Sequence, residues 1–270
     1  MQPPLTTAQR DLYCRTGFLC PIDALEPPEA DRYCRAYLGV AAAFGGAPKA
    51  VQMSQIHRFY RWAWELATHP KVLAAAESVL GADILLWSAS VFPKPARDTG
   101  YVSMHQDGTY WGLDGGAVTT AWIALTDSTR ANGCMRLLPG SHMMEIQPHT
   151  DTYAEDNLLT RGQEIQVEYD ESDVVDIELR AGQLSLHHVR AIHGSHANGS
   201  DLPRIGFAAR YVTPDAKPLL PDQSAALVRG RDRFGHWDLR NDPPEYPSME
   251  SAVLAHRAEA AKFVAALTSD

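Results

Sequence analysis

From residue 84 to residue 212 the chain is a series of short apolar segments cut by turn chemistry at close intervals, and few folds accommodate that pattern. The strand candidates are residues 84–92, 118–125, 134–138, 164–169, 174–179, 183–187 and 205–212, each enriched in aliphatic, aromatic or β-branched side chains. Between them stand Ala131-Asn132-Gly133, Pro139-Gly140-Ser141, Ala181-Gly182 and Asn198-Gly199-Ser200-Asp201-Leu202-Pro203, residues that favour turns through positive φ, fixed φ or local side-chain hydrogen bonds. Strands this short, with no helical segments between them, exclude a doubly wound parallel sheet and predict a sandwich or barrel.

Helical patterns flank this β region. Thr7 is positioned to cap a first helix over 8–15 that Gly17 stops,. Pro28 suits the start of a second, over 29–44, with Tyr33, Tyr37, Leu38 and Ala41 on one face and Gly45-Gly46 at its end,. A third contains Phe59, Trp62, Ala63, Leu66 and Ala67. A fourth runs from Pro70 to a stop at Gly81, with Val72, Leu73, Ala76, Val79 and Leu80 at helical spacing,. After a segment rich in Arg, Asp and Pro (229–247), a last helix begins near Met249 with Val253, Leu254, Ala261, Val264 and Leu267 as its apolar set. The expected organisation is one domain, 1–270: a helical part over about 1–80, a β core over about 82–213, and a C-terminal segment and helix over about 214–270.

A net charge of −9 argues against nucleic acid or an anionic membrane surface as partner. No apolar run reaches the length of a membrane span, and Met1-Gln2-Pro3-Pro4-Leu5-Thr6-Thr7 lacks the basic and apolar regions of a secretory signal,. Cys14, Cys20, Cys34 and Cys134 form no Cys-x-x-Cys and no zinc spacing, so they are expected to be reduced thiols in a cytoplasmic protein.

The candidate chemistry starts at His105-Gln106-Asp107. In an extended segment residues i and i+2 face the same side, so an imidazole and a carboxylate so spaced can hold one divalent metal. The pattern alone is weak, since composition predicts about 0.8 His-x-Asp by chance. The sequence has two more, His149/Asp151 in a polar, loop-like stretch and His236/Asp238 near the C-terminus. Only the first pair sits among strand-forming residues with a whole β region downstream to provide a third ligand, so the other two are expected at the surface. His193 is the candidate third ligand: it ends an apolar run and precedes Gly194-Ser195, small residues that leave room beside a metal. Two histidines and one carboxylate with open positions form the donor set of non-haem Fe(II) oxygenases.

Arg204 lies in the otherwise apolar Pro203-Arg204-Ile205-Gly206-Phe207-Ala208-Ala209-Arg210-Tyr211. A buried arginine requires an anion, and its planar fork matches a carboxylate. An Fe(II) oxygenase needs two electrons beyond the metal's own, which 2-oxoglutarate provides on decarboxylation. The distal carboxylate of that cosubstrate needs a cationic anchor, a role that suits Arg204, with Ser195 as a further donor. Arg210 falls on the same strand face, and parity leaves it open as the alternative.

These pieces, with Ala121-Trp122-Ile123-Ala124-Leu125, Asn132-Gly133-Cys134-Met135, Leu138-Pro139-Gly140-Ser141-His142 and His188 five residues before His193, resemble the phytanoyl-CoA dioxygenase family of Fe(II)/2-oxoglutarate-dependent oxygenases. Thr109-Tyr110-Trp111-Gly112-Leu113 and residues 229–236 look like a bacterial branch of it. The resemblance implies a mainly β fold with flanking α-helices, a double-stranded β-helix (a cupin-like jelly roll). By the same match His105, Asp107 and His193 hold Fe(II), and Arg204, Ser195, Trp122 and Gln106 border 2-oxoglutarate. His188 then stands behind the ligands, and Tyr110, Trp111, Leu113 and Lys94 lie near the mouth of the site. Halogenating relatives carry a small residue at the carboxylate position. Retention of Asp107 points to hydroxylation or another two-electron oxidation with O2.

The expected substrate is a small metabolite, an aminoalkylphosphonate or a natural-product intermediate. His57, Arg58 and Arg61 either face an anionic substrate or form a solvated helix face. Two competing readings are a cupin-like metal isomerase or hydrolase and a binding module on an oxygenase fold. Arg204 separates the first from an oxygenase, because an isomerase needs no dicarboxylate anchor beside its metal. The complete ligand set weighs against the second.

Overall fold

The computed structural model of the protein describes residues 5–46, 48–109, 111–159, 161–220 and 223–268, with side chains through residue 262. Its helices are α1 (Thr7–Thr16), α2 (Pro27–Ala43), α3 (Arg61–Ala67), α4 (Pro70–Leu80) and α5 (Met249–Thr268). Thr6, not Thr7, caps α1. Its hydroxyl accepts from the Gln9 N–H and the Gln9 side chain accepts from the Thr6 N–H at 2.9 Å, a reciprocal box that a Thr-x-x-Gln spacing signals. Leu38 of α2 faces solvent, and Ala30 and Val40 join Tyr33, Tyr37 and Ala41 on its buried face. The buried side of α5 is Ala252, Val253, His256 and Ala260, spaced by whole helical turns, whereas Leu254 and Ala261 are exposed. The side chains of Val264 and Leu267 lie outside the described residues.

In chain order the strands are β1 (Phe18–Asp23), β2 (Ile84–Lys94), β3 (Val102–His105), β4 (Leu113–Asp114), β5 (Val118–Ala124), β6 (Met135–Leu137), β7 (His149–Asp151) and β8 (Gln163–Ile165). They continue with β9 (Val175–Ile177), β10 (Gln183–His188), β11 (His193–Ser195), β12 (Arg204–Val212), β13 (Lys217–Pro218), β14 (Ser224–Arg229) and β15 (Asp238–Leu239). A seven-stranded sheet in the order β1-β10-β5-β12-β2-β14-β15 faces a four-stranded sheet, β3-β11-β6-β9. All pairings in the two sheets are antiparallel except β14 with β15. Neighbours in the sheet order are distant in sequence, the signature of a jelly roll. Residues 149–151, expected as loop, form β7 paired with β8.

Strand parity divides the large sheet into two chemically different faces. On β12, Ile205, Phe207, Ala209 and Tyr211 point outward into the main hydrophobic core, where α1 to α4 cover them. The Tyr211 hydroxyl donates to the Ala67 carbonyl at 2.6 Å, and the Tyr13 hydroxyl donates to Thr119 Oγ1 at 2.9 Å. Arg204, Ala208 and Arg210 point the other way, into a cavity of about 310 Å³ between the sheets. The helices therefore seal one face of the sheet with apolar packing and leave the other free to carry polar chemistry.

Candidate metal centre and anion cradle

Register brings the distant ligand candidates together. β11 pairs with β3 so that His193 lies directly opposite His105, a cross-strand arrangement that sets two side chains side by side. Asp107 follows in a 3-10 turn, Asp107–Thr109, which swings its carboxylate over the pair. Asp107 Oδ1 is 3.4 Å from His105 Nε2 and Oδ2 is 4.0 Å from His193 Nε2. One donor atom from each of the three lies within 4.8 Å of the others. Each histidine donates from Nδ1 to the backbone carbonyl two residues before it, His105 to Ser103 and His193 to Ala191, both at 2.9 Å. Those bonds fix the rings and leave the Nε2 lone pairs turned toward the carboxylate, the tautomer a metal requires. Burial pushes His193 down to about 4. Burial alone would raise Asp107, but its contacts with His105 and His193 outweigh that and hold it well below the usual carboxylate range,. A neutral His193 and an ionised Asp107 are in the states that bind a divalent ion, and the donor set fits Fe(II) with positions to spare.

A third imidazole approaches this cluster, and it is His187, not His188. His187 Nε2 lies 3.9 Å from Asp107 Oδ2, and its ring centroid is 4.8 Å from that of His193. On β10, Leu184 and Leu186 enter the helix-side core, so Ser185 and His187 face inward. His188 instead accepts from the Arg190 N–H at 3.1 Å and meets His142 edge to face. Alternation with Leu184 and Leu186 is a sequence signal that identifies His187.

Gln106 is turned away from the cavity for the same reason, standing between two inward-facing ligands. Its amide donates to the Arg190 carbonyl at 2.9 Å and accepts from the Gln147 N–H at 2.8 Å, so it braces loops and does not border a cosubstrate. His149 is half-buried on β7 and not a surface residue. Its Nε2 accepts from the Gln106 N–H at 3.0 Å, which supports the ligand turn from behind. His236 and Asp238 are exposed. Trp111 lines the cavity with Trp87, ring centroids 5.0 Å apart. Leu113 packs beside Trp87 and Trp237 in a satellite core. Tyr110 lies outside the described residues. His57 is buried, stacked on Trp64, while Arg58 pairs with Glu259 and Arg61 with Glu65. None of the three lines the cavity.

Lys94 lies behind the cavity wall, under Ser195, not at its mouth. It is fully buried, pairs across the sheet with Arg204, and donates to Ser195 Oγ at 2.7 Å and to the His196 carbonyl. Asn198 fixes the adjoining loop by donating to the carbonyls of Lys94, Pro95 and Leu202. Arg204 is also buried, its guanidinium carbon 5.4 Å from the centre of the Trp122 ring. That ring lies across Gly206, where a Cβ would come within 1.9 Å of it. Glycine is therefore required for the tryptophan to reach its place. Among the described residues no ion pair involves Arg204 or Lys94, and Arg204 Nε has no hydrogen-bond partner. Burial, with Arg204 next to it, pushes Lys94 down to about 7. Two neighbouring buried cations with no ion-paired acid among the described residues carry charge that an anion from outside the chain can match,, and a dicarboxylate has the matching chemistry.

A model of the phytanoyl-CoA dioxygenase (PhyH) family matches residues 13–206. The chain is 33% identical over 150 residues to "Phytanoyl-CoA dioxygenase" of Arabidopsis thaliana, covering 55% of this chain and 52% of that protein. It is 28% identical over 186 residues to a "Probable alpha-ketoglutarate-dependent hypophosphite dioxygenase" of Stutzerimonas stutzeri, covering 65% and 63%. The chain thus spans about half to just under two thirds of the length of these curated relatives. Among solved structures it resembles a "non-heme monooxygenase; ThoJ apo", with a TM-score of 0.79 and 35% identity over 96% of this chain and 99% of that one. With most of its length matched by the family model, and a jelly roll that superposes on a non-haem oxygenase, the chain belongs to the phytanoyl-CoA dioxygenase family.

Proposed function

We propose that the protein is an Fe(II)- and 2-oxoglutarate-dependent dioxygenase that hydroxylates a small metabolite, an aminoalkylphosphonate or a natural-product intermediate. The observation that carries this is a pairing of two features in one cavity: three ligand atoms within 4.8 Å of one another, and a buried arginine, backed by the buried Lys94 on the neighbouring strand, with no ion pair among the described residues. An isomerase or hydrolase would use the first and has no need of the second. His105, Asp107 and His193 would hold the metal, and Arg204, Lys94 and Ser195 the distal carboxylate of 2-oxoglutarate. Iron with its cosubstrate and O2 supplies a two-electron oxidation of a C–H bond, with succinate and CO2 released. The chain's own part is placement and exclusion of water. Ser103 and Ala191 carbonyls fix the two imidazoles, Trp122 forms the wall under Arg204, and Trp87, Phe92 and Trp111 line the space left for substrate.

No helix among the described residues is long and apolar enough to cross a membrane. The four cysteines are free thiols, which supports the reading of a reducing, cytoplasmic setting. The testing experiment is anaerobic titration of the purified protein with Fe(II) and then 2-oxoglutarate, followed by a panel of aminophosphonates, amino acids, short acyl-CoAs and polar natural-product intermediates scored by succinate release. A weak visible band that needs both additions is the expected result. Its absence, together with no succinate above the uncoupled background, would overturn the proposal.

A further inference from the structure

Arg210 is not accounted for by the metal or the cosubstrate. It extends from the same strand as Arg204, six residues further along β12, a separation of roughly 20 Å at the rise of a β-strand. The two guanidinium groups have different surroundings, Trp122 at Arg204 and the Phe92 and Trp111 rings at Arg210. Arg210 lines the cavity and is half-buried. Its one side-chain hydrogen bond among the described residues is from Nη1 to Ser90 Oγ at 3.1 Å, and Nε has no partner. The guanidinium carbon lies 5.6 Å from the centre of the Phe92 ring and 5.3 Å from that of Trp111. No carboxylate comes within ion-pair distance of it among the described residues.

The acids around it narrow the choice further. Among the described residues lining the cavity, Asp107 is the only acid, and it is committed to the metal cluster. The remaining wall near Arg210 is aromatic, aliphatic or uncharged polar: Trp87, Trp111, Phe92, Ser88, Leu220 and Gln223. Among the described residues lining the cavity, two arginines, Arg204 and Arg210, face the single carboxylate of Asp107. Asp107 favours the charge of Arg210 from a distance but makes no ion pair with it, so the remaining donors of this half-buried guanidinium are open to an anionic ligand.

We infer that the primary substrate carries an anionic headgroup, carboxylate or phosphonate, seated on Arg210 and Ser90 with an apolar body against Trp87, Phe92 and Trp111. The inference rests on the oxygenase reading and deepens it by giving the substrate a charge. The cavity offers this substrate an anion site but no second carboxylate for an ammonium group. An amine on the substrate would therefore have to point out of the cavity or lie against an aromatic face.

The test uses the protein loaded with redox-inert Ni(II) and 2-oxoglutarate. Dissociation constants are measured by tryptophan fluorescence for three probes of similar shape: 3-phenylpropanoate, 2-phenylethylphosphonate and neutral 3-phenylpropanamide. At least one acid should bind about tenfold more tightly than the amide, and the tighter acid identifies the headgroup. Arg210→Gln should erase that preference, Arg210→Lys should keep part of it, and Ser90→Ala should reduce it modestly in an undisturbed fold. Nickel and 2-oxoglutarate affinities should not change in any of them. Equal binding of acid and amide, or no binding of either acid at millimolar concentration, overturns the inference. So does loss of nickel in Arg210→Gln, which would make the residue a support for Asp107, or loss of 2-oxoglutarate, which would make it the cosubstrate anchor. Failure of the unaltered protein to bind nickel or 2-oxoglutarate at all would instead sink the oxygenase reading.

Discussion

Arg204 and Arg210 leave the same strand toward the same cavity, yet the chain holds them in different ways. At the Arg204 end every neighbour is fixed. Lys94 is tied to Ser195 and the His196 carbonyl, Asn198 staples the loop beneath, and Trp122 lies over a glycine where any side chain would displace the ring. At the Arg210 end there is one serine and a set of aromatic rings. A rigid cradle suits a ligand that never varies, and aromatic walls around one cation accept many shapes sharing a charge. On the proposed reading, the difference separates a cosubstrate end from a substrate end.

The largest effect should come from the metal cluster, which stands between the two ends. His105→Ala, Asp107→Ala or His193→Ala should lower metal affinity by more than about a hundredfold, beyond the range typical for supporting residues. His149→Ala should lower it by less, because His149 is not one of the three ligands and supports their turn through the Gln106 backbone. Metal titration by calorimetry checks both. If His149→Ala cost more than His105→Ala, the ends would not be organised around this cluster.

Next in size is the contrast between the arginines themselves. Arg204→Lys keeps the charge but loses the planar fork, so 2-oxoglutarate should bind about 10- to 100-fold more weakly with metal retained. Arg210→Lys should leave 2-oxoglutarate binding unchanged. Equal losses in the two variants would erase the distinction between cradle and substrate end.

How much of this was legible in the sequence follows from strand parity. The short-strand pattern, the span of α4 with its Gly81 stop, and the choice of His105, Asp107, His193 and Arg204 all rest on periodicity and on charges placed among apolar residues, and the chain displays these directly. His187 and Gln106 were legible by the same rule: alternation with Leu186 turns His187 inward, and a place between two ligands turns Gln106 outward. Other features were not. Phe18–Asp23 becomes a strand by pairing with β10 at the sheet edge, and a short polar segment such as His149–Asp151 becomes one only because β8 lies beside it. Lys94, flanked by prolines, reads as loop. Its burial depends on a pairing with Arg204 across more than a hundred residues of chain, and no local pattern encodes that.

A smaller effect is expected from the glycine under Trp122. Gly206→Ala puts a methyl where the indole lies, and overpacking of this kind costs about 1–3 kcal/mol. The ring would have to tilt, taking the Arg204 platform with it. We expect a lower melting temperature together with a few-fold weaker 2-oxoglutarate affinity, and no change in metal affinity. A stability loss with 2-oxoglutarate binding intact would show that Trp122 serves the core and not the cradle.

The smallest predicted effect is a pH dependence confined to the Arg204 end. Burial and the adjacent Arg204 push Lys94 down to about 7, so without ligand it is charged below that pH and neutral above it. A bound carboxylate favours the ammonium form and raises its pKa. Above pH 7 binding must then take up a proton, and below it need not. The 2-oxoglutarate dissociation constant should be flat below about pH 7 and rise above it, by at most about tenfold per pH unit for one proton. Burial pushes His187 and His193 well below this window, so neither changes charge across it. Calorimetry at pH 8 in buffers of different ionisation enthalpy measures the proton taken up. Lys94→Met should bind 2-oxoglutarate more weakly at pH 6.5 and abolish both the slope and the proton uptake. The substrate end supplies the control, since Arg210 stays charged throughout. A slope that survived in Lys94→Met would place the titrating group elsewhere and remove Lys94 from the cradle.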